Sequence, residues 1–138
     1  MASNYGDLGN LYFTRGDLEA AEDMFKKFLA IDEELGRKEG MASNYGNLGI
    51  LYATRGDLEA AEDMFKKSLA IDEELGRKEG MANQYGNLGN IYLTRGDIDA
   101  AENMYKKSLA IFTSIGNKIM MAKVASLMEE LKKLKKEE

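Results

Sequence analysis

The sequence predicts an all-α fold, a solenoid of three helical hairpins followed by a C-terminal capping helix. Three observations lead to it. The dipeptide Met-Ala recurs every 40 residues, at positions 1, 41, 81 and 121. Within each repeat, apolar residues follow one another at steps of three and four, which is typical of amphipathic helices. Val and Ile are few beside Ala, Leu, Glu and Lys, and no two-residue hairpin turn separates alternating segments, so strands are not expected.

The repeats divide the chain into residues 1–40, 41–80 and 81–116, with a capping helix over 117–138. The first two repeats differ at only four positions: Asp7/Asn47, Asn10/Ile50, Phe13/Ala53 and Phe28/Ser68. The third follows the same pattern more loosely up to about Leu109. Because one helix cannot bury its own apolar stripe, successive hairpins must stack, and we expect a single domain over residues 1–138.

The middle repeat justifies the individual helices. Its first apolar stripe stops at Gly56-Asp57, and a second begins at Leu58 and runs to Gly76. Asp57 has the chemistry of an N-cap, and Gly76 that of the left-handed residue that closes a helix. Lys66 and Lys67 follow Glu62 and Asp63 by four residues, which predicts weakly stabilising ion pairs on a solvated face. Applied to each repeat, the pattern predicts helices at residues 2–14, 17–35, 38–54, 57–75, 78–94, 97–115 and 118–136.

The last predicted helix starts near Lys118 and is suited to sealing the third hairpin. Its apolar residues lie within an arc of roughly 140°: Met120, Met121, Val124, Leu127, Met128, Leu131 and Leu134. Phe112 shares a helical face with Ile98 and Tyr105, so it can pack beneath this helix. Ile119 falls outside the arc.

Composition excludes most kinds of active site. The 138 residues include no His, Cys, Pro or Trp, and the net charge is -5. Disulfides, zinc thiolates and imidazole bases are therefore excluded, and an acidic chain is poorly suited to nucleic acid. No stretch approaches the roughly 20 apolar residues of a membrane helix, and the first residues do not resemble a signal peptide. We expect a non-enzymatic protein, soluble and cytoplasmic when expressed in cells, with no catalytic residues, cofactor, metal, nucleic-acid or membrane partner.

Three local patterns resemble functional motifs but have simpler structural interpretations. Gly46-Asn47-Leu48-Gly49 lies inside a predicted helix with no strand before it, so its glycines favour close helix packing over phosphate binding. The tripeptide Arg-Gly-Asp at 15–17, 55–57 and 95–97 fits a turn whose Asp caps the next helix. The acidic runs 32–34 and 72–74 place consecutive carboxylates about 100° apart, which predicts solvated helix ends and not a metal site.

The middle repeat resembles the tetratricopeptide repeat family. The resemblance rests on residue type and spacing together: Tyr45-Gly46-Asn47-Leu48-Gly49, then Tyr52, Gly56-Asp57, Ala61, Phe65 and Leu69. The repeat has 40 residues instead of about 34, and the usual Pro after the second helix is replaced by Glu33, Glu73 or Thr113. It looks like the long-hairpin subclass found in cell-polarity adaptors. The resemblance covers residues 1 to about 116 and implies a right-handed tetratricopeptide-like α-solenoid.

The resemblance also implies a peptide-binding surface on the first helix of each hairpin. The positions concerned are Asn10, Asn47, Ile50, Asn87 and Asn90. An amide side chain has both a donor and an acceptor for a peptide backbone, although packing accounts for the same residues. The basic residues of a carboxylate clamp are missing, with Gly46 and Thr54 at the clamp positions. Capture of an acidic C-terminal tail is therefore disfavoured.

Residues that depart from the middle repeat gather near the two chain ends. They are Phe13 and Phe28 in the first repeat, and Phe112, Ile119 and Met120 in the last. Capping accounts for some of them, but we expect apolar surface to remain at both ends, because no hairpin precedes the helix that begins at Met1. Two different patches predict a homo-oligomer with head-to-tail contacts, which closes into a ring where the rotation permits. An isologous dimer through one end is the nearest alternative. The near-identical repeats indicate an idealised or designed array, or a recent natural duplication.

Overall fold

A computed structural model describes the backbone of residues 2–137 and the side chains of residues 5–137. The described chain is entirely helical apart from its turns, which confirms the predicted fold class. Every predicted helix is present, with each boundary within one residue of its expected position. The helices are α1 (Ala2–Thr14), α2 (Leu18–Leu35), α3 (Lys38–Thr54), α4 (Leu58–Leu75), α5 (Lys78–Thr94), α6 (Ile98–Ser114) and α7 (Lys118–Glu137).

Short turns end one helix and start the next. The Asp17 carboxylate accepts a hydrogen bond from the Ala20 backbone N–H at 3.2 Å, as an N-cap does. Gly16, in the turn before it, has a φ of 82°, which a residue with a side chain rarely adopts. The same arrangement recurs at 55–57 and 95–97. The Arg-Gly-Asp tripeptides are therefore turn-and-cap signals, as predicted.

The chain divides into two compact units, Met1–Ile71 and Asp72–Glu138. In the first unit, α2 packs against both α1 and α3. In the second, α6 packs against both α5 and α7. The organisation as a single domain over 1–138 stays a prediction, and its terminal residues 1 and 138 lie outside the described residues.

An aromatic ring lying on a glycine joins the two helices of each hairpin. A Cβ atom added to the glycine would lie 2.5–2.6 Å from a ring carbon, closer than any real contact allows. The three pairs are Gly9 with Phe25, Gly49 with Phe65, and Gly89 with Tyr105. The glycine run in α3 is thus a helix-packing feature, as its position inside a predicted helix indicated.

The second unit has a buried apolar core that α7 completes. Tyr105 and Phe112 of α6 lie in this core with Val124 and Leu131 of α7. Met120 and three other apolar residues of the predicted arc, Met121, Leu127 and Met128, pack around it half-buried. The capping interpretation of α7 is confirmed, and Phe112 packs beneath it.

Two glycines of α5, three residues apart, test the ring-on-glycine contact. Gly89→Ala should lower the free energy of unfolding by about 1–3 kcal/mol, because the buried Tyr105 ring cannot move aside. Gly86→Ala is the matched control, since its Cβ would meet only the Ser108 Oγ at an ordinary 3.6 Å. The control should be neutral or stabilise by up to about 1 kcal/mol through helix propensity. Urea unfolding followed by circular dichroism measures both, and equal effects would contradict the packing role of Gly89.

Candidate interaction sites

Two of the three exposed positions of the predicted peptide-binding surface, Asn10 and Ile50, lie in the first unit, and the third is Asn90. Asn47 and Ile50 are one turn apart on α3, so they share a helical face. Ile50 is 43% exposed although it lies in the interior of a helix. Asn10 occupies the position in α1 that Ile50 has in α3, and it is exposed as well. This face offers apolar surface beside the half-buried Asn47 amide.

The corresponding amides of the second unit are already hydrogen-bonded within it. The Asn87 Nδ2 donates to the Gln84 Oε1 at 3.2 Å. The Asn90 Oδ1 accepts a hydrogen bond from the Tyr105 hydroxyl. Burial, with a smaller effect of the Glu130 charge, raises the pKa of Tyr105 to about 12, so its hydroxyl keeps this proton at neutral pH. Asn87 and Asn90 therefore have a local packing role that Asn47 lacks among the described contacts.

The residues predicted to form an oligomer interface differ widely in exposure. Phe13 and Phe28 are half-buried, and the Phe28 ring lies on Gly6 of α1. Met120 is half-buried against the core of the second unit. Phe112 is fully buried in that core, which disfavours its predicted place in an interface with a second chain. Ile119 is 82% exposed, as its position outside the apolar arc predicted.

Two carboxylates predicted to be solvated are buried instead. Asp32 lies at the contact of α2 with α3, where its Oδ2 accepts a hydrogen bond from the Asn44 Nδ2 at 3.1 Å. Gly40 leaves room for this carboxylate, since a Cβ there would collide with it. Asp72 is buried in the same way and bonds the Arg77 Nη1 at 3.3 Å. The expectation of solvated helix ends holds for the neighbouring glutamates and is wrong for these aspartates.

A set of three substitutions removes this polar arrangement in the last repeat. Phe112, Met120 and Val124 stand there at the positions of Asp32, Gly40 and Asn44. A buried carboxylate needs a hydrogen-bond donor and enough space. Where the Asn44 amide and the small Gly40 are replaced, the buried acid must be replaced as well. The joint change of these three equivalent positions in the last repeat was the sequence signal for a buried contact.

An acid–cation contact joins α2 to α3 at the edge of the same interface. The Glu22 carboxylate accepts hydrogen bonds from the Tyr52 hydroxyl at 2.6 Å and the Arg55 Nη1 at 3.1 Å, and Lys26 pairs with it at 3.0 Å. Burial opposes ionisation of Glu22, but these donors outweigh it and lower its pKa to about 2. Glu22 is therefore ionised throughout the neutral range.

The same contact recurs between α6 and α7. The Lys135 Nζ lies 3.0 Å from the Glu102 Oε2 and 3.3 Å from the Asp99 Oδ1. Glu102 and Lys135 follow Glu22 and Arg55 by two repeat lengths. An acid on the second helix of one hairpin thus meets a cation on the helix that follows it, in both units.

The described residues offer little to metal or membrane chemistry. No group of three or more acidic side chains within residues 5–137 is arranged to hold a metal ion. None of the seven described helices is long and apolar enough to cross a bilayer.

Comparison with known families and proteins agrees with this architecture. The family model described as tetratricopeptide repeat matches residues 1–74 and again 41–114. No curated protein matches the chain.

Solved structures share the fold at low sequence identity. BtubC from P. vanneervenii is 20% identical with a TM-score of 0.73, over 98% of this chain and 64% of that one. The apo form of RapI is 16% identical with a TM-score of 0.91, over 99% of this chain and 50% of that one. The Yersinia enterocolitica type III secretion translocator chaperone SycD is 19% identical with a TM-score of 0.79, over 99% of this chain and 86% of that one. The chain thus spans 64% of the length of BtubC, which is less than two thirds, and 50% of the length of RapI.

The Glu22 contact makes stability depend on acidity. Because folding lowers the pKa of Glu22 from 4.5 to about 2, its contribution is complete above pH 4.5 and is lost as the pH falls towards 2. Glu22→Gln should therefore lower the free energy of unfolding by about 1–3 kcal/mol at pH 7, and less as the solution becomes more acidic. Urea titrations at a series of pH values measure the difference.

Asp23→Asn is the control for this measurement. Among the described side chains, Asp23 pairs only with Lys27, at 3.3 Å on an exposed surface, and such pairs contribute little. A Glu22→Gln effect that stays constant from pH 7 to pH 2.5 would contradict the assigned role of the ionised carboxylate.

Proposed function

Since this chain belongs to the tetratricopeptide repeat family, we propose that it is a non-enzymatic protein-interaction module that binds an extended segment of another protein. The observation that carries the proposal is the exposed Ile50 beside Asn47 on α3. An apolar side chain of the bound segment would contact Ile50. The Asn47 amide would hydrogen-bond the backbone of the segment, for which it has both a donor and an acceptor.

The charge of the surroundings further limits the bound segment. The net charge of the chain is -5. Long-range electrostatic attraction therefore favours bound segments that carry basic residues over segments that carry acidic ones. The absence of basic residues at positions 46 and 54 agrees with this preference. The proposed ligand is an extended peptide with an apolar residue flanked by neutral or basic ones.

Helix length supports a finer family assignment. The described helices α2 to α6 have 17 or 18 residues each. We propose on this basis that the chain belongs to the long-hairpin subclass. The agreement of the first two repeats at 36 of 40 positions supports the further proposal that the array is idealised or designed, and recent duplication has the same signature.

Selection from a random peptide library on the immobilised full chain tests the proposed binding surface. Peptides selected on the wild type should bind the double variant Asn47→Ala with Ile50→Asn about tenfold more weakly, because both the amide and the apolar contact are lost. Ile50→Asn introduces the residue that the chain itself has at positions 10 and 90, so folding should be retained. Affinities are measured by isothermal titration calorimetry.

Asn87→Ala is the matched control, because that amide already bonds Gln84. Selected peptides should bind this variant as they bind the wild type. Peptides that bind the Asn47/Ile50 variant with unchanged affinity would place the binding surface elsewhere.

We propose self-association as a second function, and the exposure of Ile119 is the observation that favours it. A side chain of this size that is 82% exposed gains most from burial against another chain. In the head-to-tail arrangement it would meet the first repeat of the next copy, near Phe13 and Phe28. Such contacts close into a ring or continue as a filament, whereas an isologous dimer would join Ile119 to its own counterpart.

Analytical ultracentrifugation at tens of micromolar tests this second function. The wild type should sediment as an oligomer, and Ile119→Glu, which introduces the residue found at position 79, should sediment as a monomer. Phe112→Leu serves as a comparison, because that side chain is buried and its conservative change should leave the mass unaltered. A monomeric wild type would contradict self-association and leave the peptide-binding proposal untouched.

A further inference from the structure

The aromatic rings of the middle and last repeats lie on their glycines in the same way, but only one of them has a hydroxyl group. A Cβ atom added to Gly49 would lie 2.5, 2.6 and 3.0 Å from the Cε1, Cδ1 and Cζ atoms of Phe65. A Cβ atom added to Gly89 would lie 2.5, 2.7 and 3.0 Å from the same atoms of Tyr105. The two contacts therefore differ in the hydroxyl group and hardly at all in the placement of the ring.

The residue that follows the glycine changes together with the ring. Ile50 stands in the repeat that has Phe65, and Asn90 stands in the repeat that has Tyr105. A buried hydroxyl group without a hydrogen-bond partner is costly. Ile50 is therefore suited to a phenylalanine ring beside it, and Asn90 is suited to a tyrosine ring.

The Tyr105 hydroxyl fixes the orientation of the Asn90 amide. The Tyr105 side chain is fully buried, and its hydroxyl donates a hydrogen bond to the Asn90 Oδ1. Among residues 5–137, no other acceptor bonds this hydroxyl. Because only the oxygen of an amide side chain accepts a proton, the Oδ1 must face the tyrosine. The Nδ2 of the exposed Asn90 is left with two N–H donors, which have no acceptor among the described residues.

The neighbours of Asn90 on α5 limit what these donors can bind. Asn83, Asn90 and Thr94 lie on one exposed stripe of the helix. The Thr94 hydroxyl donates to the Asn90 backbone carbonyl at 2.9 Å, so its proton is already used. The three residues are all uncharged, so a carboxylate would meet no cation on this stripe. A neutral acceptor, such as the backbone carbonyl of an extended segment, fits the stripe better.

We propose that Tyr105 is a positioning residue, which holds the Asn90 Nδ2 outward so that it donates to a backbone carbonyl of a bound segment. This inference rests on the peptide-binding function proposed above and adds a polar contact on α5 to the apolar contact of Ile50. An amide that is already oriented loses less conformational freedom on binding than a mobile one. Asn87 has no part in this contact, because its own Nδ2 donates to Gln84.

The orientation of the amide is tested without a ligand. Nitrogen-15 relaxation of side-chain amide groups in the full chain measures how ordered each group is. Asn90 should be ordered in the wild type, and Tyr105→Phe should lower its order to that of Asn10, which stands in the repeat that has Phe25. The variant should fold, because the first two repeats have phenylalanine at this position. Equal order of Asn90 in both proteins would overturn the anchoring role of the hydroxyl.

The middle repeat allows the same anchor to be built where it is absent. Ile50→Asn alone should introduce a mobile amide. Ile50→Asn together with Phe65→Tyr should introduce an amide as ordered as that of Asn90, because the two rings are placed alike on their glycines. A mobile amide in the double variant would contradict the role assigned to the hydroxyl.

Peptide binding tests the use of the outward donors. Uncharged peptides selected on the wild-type full chain are titrated by isothermal titration calorimetry. Tyr105→Phe should weaken their binding about two- to tenfold, since the amide must then be ordered on binding. Asn90→Asp keeps an acceptor for the hydroxyl but replaces the outward donors with an oxygen, so it should weaken binding at least about tenfold.

Two further variants make these results specific. Asn103→Asp is the matched charge control, because it adds the same charge at an exposed position of α6 where the first two repeats have aspartate. It should bind the peptides like the wild type. Tyr105→Phe together with Asn90→Ala should bind no more weakly than Asn90→Ala alone, since the tyrosine acts through the amide. An additional loss in this double variant would make Tyr105 a packing residue and overturn the proposal.

The outcomes also separate this inference from the proposed function on which it rests. Peptides that depend on Asn47 and Ile50 but bind Asn90→Asp like the wild type would overturn the inference and leave the peptide-binding function intact. Failure to select any peptide would instead overturn the peptide-binding function, and with it the proposed use of Asn90.

Discussion

The contact of an aromatic ring with a glycine on the facing helix is the constraint on which each hairpin depends. Glycine inside a helix costs about 1 kcal/mol relative to alanine, yet it stands at positions 9, 49 and 89. The ring that fills the space gains about 1.5–3 kcal/mol from burial. The exchange is favourable only while the two helices remain close, because any side chain at the glycine would meet the ring at 2.5–2.6 Å. This contact therefore fixes the packing of the two helices within each hairpin.

The outer face of a hairpin is stabilised in a different way, by the helix next to it. Leu48 and Leu51 are buried where α2 covers them, and the identical Leu8 and Leu11 are half-exposed. Polar contacts at the edge, with Glu22 in the first unit and Glu102 in the second, hold the covering helix in register. A large part of the stability thus lies between neighbours, as in other repeat arrays. An uncovered face keeps the chemistry of a covered one.

Local sequence signals predicted the helices well and the buried polar contacts poorly. Asp17 and Gly36 act through the backbone beside them, so their positions fix helix ends without reference to the rest of the chain. Asp32 looks the same as a solvated acid at a helix end, and its burial depends on Asn44, twelve residues away on another helix. The helical period placed Asn90 on an open face, but the hydroxyl that engages it comes from Tyr105. Contacts between helices depend on how the helices pack. The periodicity of apolar residues within a single helix does not show which residues of another helix it will meet.

The two ends of the chain differ in residue chemistry, and this difference gives the array a direction. α7 has Glu129 and Lys132 where α3 has Gly49 and Tyr52, and Lys132 pairs with Glu129 at 3.3 Å. A glutamate at the glycine position leaves no room for an aromatic ring like the one that lies on Gly49, so α7 does not repeat the packing chemistry of α3. α1 keeps Gly9 and, on its open face, the leucines and the cation of an internal helix. α1 thus retains the chemistry of an internal junction at positions where α7 has lost it.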